Sequence, residues 1–300
     1  MPSLKDYRDR ISSVKSTKKI TSAMKMVAAS KLKKAQDRAE ASQPYAAAMA
    51  EVMARVAAGV TMGPGTSKLL MGTDNGDQTH LLLVVTSDRG LCGGFNANLL
   101  RKVKGMIAEL QNLGKTIKIV TVGRKGRDFL KREHSDLIIK SFLDIGKSGV
   151  EFSEAAEVSD YVLGLFEDGE FDVCSVLGNE FRSVLAQVPS ASQLIPFTFR
   201  EETIDEMEEQ AAEALDAPYT FEPNEEEILD DLLPRNISVQ IFRTLLDSAA
   251  GEQAARMTAM DNATRNAGDK INDLTLQYNR ARQAYITKEL IEIISGAEAV

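Results

Sequence analysis

Seven residues, Asp88-Arg89-Gly90-Leu91-Cys92-Gly93-Gly94, follow a short apolar run and precede a helical pattern. Open α/β sheets bind phosphate groups at such a position, through backbone N–H groups at a helix N-terminus. The spacing for that chemistry is missing. No Gly-Lys-Ser/Thr closes the loop, and Gly-x-Gly-x-x-Gly is not present. The turn Gly123-Arg124-Lys125-Gly126 fails both templates too. Its glycines read as permitting a tight strand-to-helix turn, and the charged Asp88-Arg89 pair also suits a loop presented to a protein neighbour. Cys92 would need a base to serve as a nucleophile, yet neither histidine, His80 or His134, lies near it in sequence. A small buried thiol is the plainer reading. Asp172, Asn179, Glu180 and Arg182 are scattered polar residues near a strand end. The two cysteines, Cys92 and Cys174, show no metal-ligand spacing and imply a reducing compartment. No catalytic, metal-binding or cofactor-binding residue is assigned.

The charge pattern points to binding rather than reaction. Residues 11–36 hold seven lysines and no acid, whereas residues 201–232 hold fourteen acids and no base. Without that acidic segment the net charge of −8 becomes −8 + 14 = +6, a basic body. Lys31, Lys33 and Lys34 form the densest cluster, and three readings stand: a solvated helix face, a nucleic-acid contact or an acidic protein partner. Against nucleic acid, no aromatic residue lies between Tyr7 and Tyr45 to stack on bases. Apolar residues here also leave the single stripe of a surface helix: Met24 and Met26 lie about 200° apart on a helical wheel. At the other end Leu290, Ile291, Ile293 and Ile294 leave no polar side. Both ends therefore read as enclosed by neighbours.

The elements that position these residues follow from periodicity. Met257, Met260, Thr264, Ala267, Ile271, Leu274, Tyr278, Ala281 and Tyr285 recur at a 3,4 spacing, the seam of a helix packed lengthwise on another. Leu4, Tyr7, Ile11 and Val14, resuming at Ala28, Leu32 and Ala35, form a matching stripe. The two ends are expected to pair as an antiparallel coiled coil. The last 60 or so residues would span about 90 Å as one helix, enough to protrude from a small body. Between them the period changes. Strands are expected over about 80–86, 116–122, 137–140 and 171–177, and helices over about 95–112, 124–133 and 153–167. That alternation is the pattern of a small doubly wound α/β domain. Residues 60–79 read as a glycine-rich linker, and 201–233 as an acidic connection. Pro44 and Pro234 are expected to kink or interrupt their helices. The expected division is 1–59, 60–79, 80–200, 201–233 and 234–300. No run approaches the roughly 18 apolar residues of a membrane span. Residues 1–6 read as neither signal nor transit peptide.

Four motifs carry a family resemblance. ISSVKSTKKITSAMKMVAASK over 11–31 resembles the opening of the γ subunit of F-type ATP synthase, bacterial type. EQAARMTAMDNA over 252–263 and NRARQAYITKELIEIISG over 279–296 are similar to its closing helix. DRGLCGG over 88–94 and QVPSASQL over 187–194 are similar to its central domain. The resemblance implies an antiparallel coiled coil of the N- and C-terminal helices with an inserted Rossmann-like α/β domain, acting as a rotor. It implies a central stalk inside a ring of three α and three β subunits, with its base on the ε subunit and the membrane c-ring. The subunit itself would bind no cofactor or nucleic acid and catalyse nothing. It would transmit rotation between ion flow and ATP synthesis and regulate ATPase activity, from the cytoplasmic face of a bacterial inner membrane.

By position, Met24, Arg256 and Gln283 would meet β loops, and Lys31, Lys33 and Lys34 would face an acidic β loop. Phe221, Glu222 and Pro223 would lie on the ε and c-ring side of the base. Competing with the rotor are a nucleotide-dependent α/β enzyme with coiled-coil arms and a nucleic-acid-binding coil.

Overall fold

In the computed structural model the described residues are 3–59, 67–73, 75–197 and 225–298. They divide into two compact units, Met1–Ser30 with Arg256–Val300, and Lys31–Ala255. Two long helices contribute to both, α1 (Leu4–Gly59) and α6 (Glu225–Glu298).

The larger unit holds a five-stranded sheet. Its strands are β1 (Thr79–Val85), β2 (Thr116–Val122), β3 (Ile138–Phe142), β4 (Val173–Phe181) and β5 (Gln187–Ile195), in the order β3-β2-β1-β4-β5. The first four are parallel, with Leu83 between Val120 and Val176, while β5 runs antiparallel to β4. Central parallel strands are covered on both faces, so a continuous apolar run is what β1 requires. Leu81, Leu83 and Val85 enter a core closed by α5 (Phe152–Glu167) and by Ile237, Ile241, Leu245 and Leu246 of α6. Leu82 and Val84 enter the opposite core with α3 (Phe95–Asn112) and Leu130 of α4 (Arg124–Leu130). A third cluster joins Met49 and Met53 of α1 to Leu229 and Leu233 of α6 and to Leu70 of the short helix α2 (Lys68–Met71).

Two features go beyond the periodicity of the chain. The closing helix begins at Glu225, nine residues before Pro234, and runs through that proline. Proline removes one backbone hydrogen bond, and burial of Leu229, Leu233 and Ile237 on either side holds the helix across the gap. The strand β5 is also absent from the periodicity reading. Its exposed positions alternate irregularly, and Pro189 reads as a strand breaker, but β5 is an edge strand, where proline is tolerated. The Lys102 ammonium donates to the Pro189 carbonyl at 3.1 Å, which further blunts that edge.

Asp247 of α6 sits half-buried near Glu180 of β4, and burial pushes its carboxyl up to about 6; Glu180 adds to the rise and Arg243 opposes it. Below the unfolded carboxylate pKa of about 3.9, both states are protonated and the residue is neutral to stability. As pH rises from there towards 6 the folded state keeps a proton that the unfolded state releases, so stability falls and the loss is complete above about 6. Asp247→Asn removes the buried charge. Allowing for solvent screening, thermal unfolding should show a gain of about 1–2 kcal/mol at pH 8 and none at pH 4. An identical gain at both pH values would refute the assignment.

Candidate partner-binding surface

In the smaller unit α1 and α6 run antiparallel. The Lys25 ammonium meets Asp261 at 2.5 Å, the Thr264 hydroxyl donates to Thr21 at 2.7 Å, and Arg8 donates twice to the Tyr278 hydroxyl, at 3.0 and 2.7 Å. These partners have residue numbers that add to 285 or 286. On α6 the seam is seated as its spacing requires: Met260, Ala267 and Leu274 are buried, and Met257, Thr264, Ile271, Tyr278 and Ala281 half-buried. Tyr285, the last of the 3,4 series, is 53% exposed. The register explains why. The helix α1 starts at Leu4, where the Ser3 hydroxyl caps the Asp6 N–H and the Asp6 carboxylate accepts from the Ser3 N–H. Leu4 falls level with about residue 282, so among the described residues no turn of α1 faces Tyr285 or those beyond it.

The coil satisfies its own seam and still shows large apolar side chains. Ile20, Met26 and Val27 of α1 are 57–66% exposed, and Leu276, Ile286, Leu290, Ile291, Ile293 and Ile294 of α6 are 51–69% exposed. So many large apolar side chains left in water, clustered at Met26–Val27 and from Ile286 to Ile294, are the mark of interaction sites.

The expected contact residues fall at separate levels. Met24 is half-buried and, on the observed register, lies near Asp261 and Asn262; half-buried Arg256 is about 8 Å further along the α6 axis. Gln283 is exposed, and its carbonyl accepts from the Thr287 hydroxyl at 2.9 Å. It stands about 40 Å from Arg256 along α6, so one pocket cannot contain both.

Lys31, Lys33 and Lys34, in the larger unit, are all exposed. Lys33 meets Asp37 at 2.7 Å across one helical turn. The hydrogen bond to Asp37 raises the Lys33 pKa, with the Asp37 charge second. Lys31 and Lys34 carry no ion pair among the described residues. Phe221, Glu222 and Pro223 lie outside the described residues.

The glycine-rich loops are occupied with structure. Cys92 is buried and accepts from the Asn96 amide at 3.3 Å, while Asn96 also bonds Ser87 through both its amide atoms. His80 stands at the start of β1 and Cys92 beyond its end, about 15 Å or more along the strand, so His80 is out of reach of the thiol. The Asp88 carboxylate accepts from the backbone N–H groups of Arg124 and Asp144 at 2.9 and 3.0 Å, joining the loops after β1, β2 and β3. Gly123 takes φ +96°, and a Cβ there would lie 2.1 Å from the Thr86 carbonyl oxygen. Close packing therefore accounts for glycine at 123. Asp261, which sequence reasoning passed over, could have been found as the acid opposite Lys25 once the two stripes were set in antiparallel register.

A family model described as ATP synthase matches residues 3–300. The ATP synthase gamma chain of Gluconacetobacter diazotrophicus is 55% identical over the full length of both chains. The chain belongs to the ATP synthase gamma family. A gamma chain is a non-catalytic subunit, in keeping with loops whose polar groups are consumed internally. The central stalk and c-ring structure of the Tetrahymena thermophila mitochondrial ATP synthase contains a chain 28% identical to this gamma-family member. It has a TM-score of 0.58 and covers 81% of this chain and 99% of its own. A chain of the Euglena gracilis mitochondrial enzyme, 19% identical, shares the fold with a TM-score of 0.68 over 99% of this chain and 94% of its own. The family places this gamma chain in a membrane-associated assembly, and no helix among its described residues is long and apolar enough to cross a membrane.

Proposed function

We propose that the chain is the central-stalk rotor of an F-type ATP synthase. Turning with the membrane c-ring, it drives the catalytic ring of three α and three β subunits through its nucleotide states, and so couples ATP synthesis to proton translocation. The observation that carries this reading is the exposed apolar surface of a coil whose own seam is already filled: Ile20, Met26, Val27 and the turns from Ile286 to Ile294 need a sleeve. A coil acting alone would leave that surface to water. Residues 1–59 and 234–300 form the shaft and 80–200 the base, with 201–233 connecting them. Phe221, Glu222 and Pro223 contribute to the face towards ε and the c-ring. The chain is held at the cytoplasmic face of a bacterial inner membrane through the c-ring. Met24 with Arg256 forms one level of contact with the ring, and Gln283 another.

Lys31, Lys33 and Lys34 meet an acidic β surface, where charge complementarity sets orientation. Converting all three to glutamate replaces attraction by like-charge contact, a change worth several kcal/mol across an interface. The side chains are exposed, so the fold should be kept, with a stability loss of about 1 kcal/mol or less from turning the Lys33–Asp37 pair into a like-charge pair. ATP hydrolysis is expected to continue while ATP-driven proton pumping in reconstituted vesicles falls. Unchanged pumping would sink the proposed contact. Co-purification from the native membrane tests the larger reading, because α and β subunits must accompany the chain.

A further inference from the structure

The helix layers on the two faces of the sheet carry opposite charge. Residues 151–170, which include α5, hold seven acids and no base. On the opposite face, 95–112 and 124–133 hold eight bases against three acids. Three of the eight are paired: Lys104 with Glu133 at 2.5 Å, Arg127 with Asp128 at 2.7 Å and Arg124 with Asp144 at 3.5 Å. Arg101, Lys102, Lys125, Lys131 and Arg132 are exposed and carry no ion pair among the described residues. Apolar surface lies among these bases. Phe129, with the Lys104 ammonium 5.0 Å from its ring centre, is 37% exposed, and Leu113 is 69% exposed.

The same chain holds the complementary charge. Residues 201–217, outside the described residues, contain eight acids and no base, with Ile204, Met207 and Leu215 among them. The chain on either side is anchored at one place. The Phe197 N–H donates to the Leu69 carbonyl at 2.7 Å, and Phe197 and Ile228 pack on one cluster around Leu229 and Leu233. The 27 residues from 198 to 224 can therefore reach out and back by roughly 45 Å. From β5 to β2 is only about 15 Å. Both helix layers are within reach, so charge decides between them. The α5 layer repels the segment, as do exposed Asp230 and Asp231 near the start of α6. We infer that residues 201–217 dock on the α3–α4 face of their own chain. Their carboxylates meet Arg101, Lys102, Lys125, Lys131 and Arg132, and their apolar side chains meet Phe129 and Leu113. The tether holds the segment at an effective concentration of roughly millimolar, so several surface pairs suffice although each is weak. The chain thereby covers its own basic face and keeps other polyanions from it. The inference rests on the charge layout and does not depend on the rotor reading.

Zero-length carbodiimide coupling of the full-length chain, read by peptide mass spectrometry of the monomer, locates the contact. Couplings from 201–217 to Lys102, Lys125 and Lys131 are expected, about fivefold weaker in about 0.5 M salt, where screening is stronger. In Arg101→Glu/Lys125→Glu/Lys131→Glu/Arg132→Glu the coupling to Lys102 should be lost. A glutamate-specific protease should then cut within 201–217 about tenfold faster, as the undocked population rises. A second variant, Glu206→Gln/Glu208→Gln/Glu209→Gln, leaves the folded body untouched and should weaken coupling from Glu201, Glu202 and Glu213 as well. Couplings that run mainly to Lys31, Lys34 or Lys147 overturn the inference, as do couplings found only in dimers or none to the α3–α4 face. A coupling pattern and cleavage rate unchanged in both variants overturn it equally.

Discussion

Ile271→Pro is expected to destabilise the paired terminal helices by about 3 kcal/mol or more and to abolish assembly of the chain with its ring. Proline there removes the hydrogen bond to the Ala267 carbonyl and drives its ring against that oxygen. Ile271 is also a half-buried seam residue one turn from buried Leu274, so backbone and packing are lost together. Deleting residues 295–300 is the informative comparison. Those residues lie beyond the last paired turn, and Ser295 is exposed. The deletion should leave assembly close to that of the parent chain. Yields of the complex, measured by co-purification of α and β subunits, separate the two cases. Equal yields would mean that pairing of the ends is not what the chain contributes.

Gly123→Ala is the second large effect, and it falls on the α/β body. At φ +96° an alanine is strained, and its Cβ would overlap the Thr86 carbonyl group, with the oxygen at 2.1 Å and the carbon at 2.7 Å. Neither atom can move freely, because the Thr86 N–H bonds the Val122 carbonyl at 2.8 Å and the Gly123 N–H bonds the Phe142 carbonyl at 2.9 Å. A loss of about 4 kcal/mol or more follows, in the range reserved for strain combined with overpacking. Gly114 provides the control. It has φ +71°, and a Cβ added there would meet nothing within 4 Å, so Gly114→Ala carries the conformational cost alone, about 1 kcal/mol. Urea unfolding of the two variants should differ in midpoint accordingly. Similar midpoints would show that the Thr86 contact relaxes cheaply.

Much of this architecture was legible in the chain. The run Leu81-Leu82-Leu83-Val84-Val85 announced a strand buried on both faces, and the α6 seam from Met257 to Ala281 could be read position by position. What escaped has physical causes. Gln187–Ile195 is poor in large apolar residues and contains Pro189, so its identity as an edge strand came from pairing with β4, a long-range fact. Tyr285 fits the 3,4 spacing but not the burial, because spacing along one helix does not say where its partner starts. The lysine cluster was legible as charge. That Asp37 would occupy Lys33 was legible only as a helical i,i+4 possibility, and Asp247, whose burial depends on the sheet beneath it, left no local mark.

Asp88 has a consequence for how force would pass through the body. One carboxylate holds backbone N–H groups from two other loops, so it adds a shared side-chain tie to the backbone bonds that already join the ends of β1, β2 and β3. A push delivered at any one of those loops is shared among three strands before it reaches the core. The crest of the sheet is thus cross-braced, with two charge-assisted hydrogen bonds added to the backbone bonds and the close packing at Gly123.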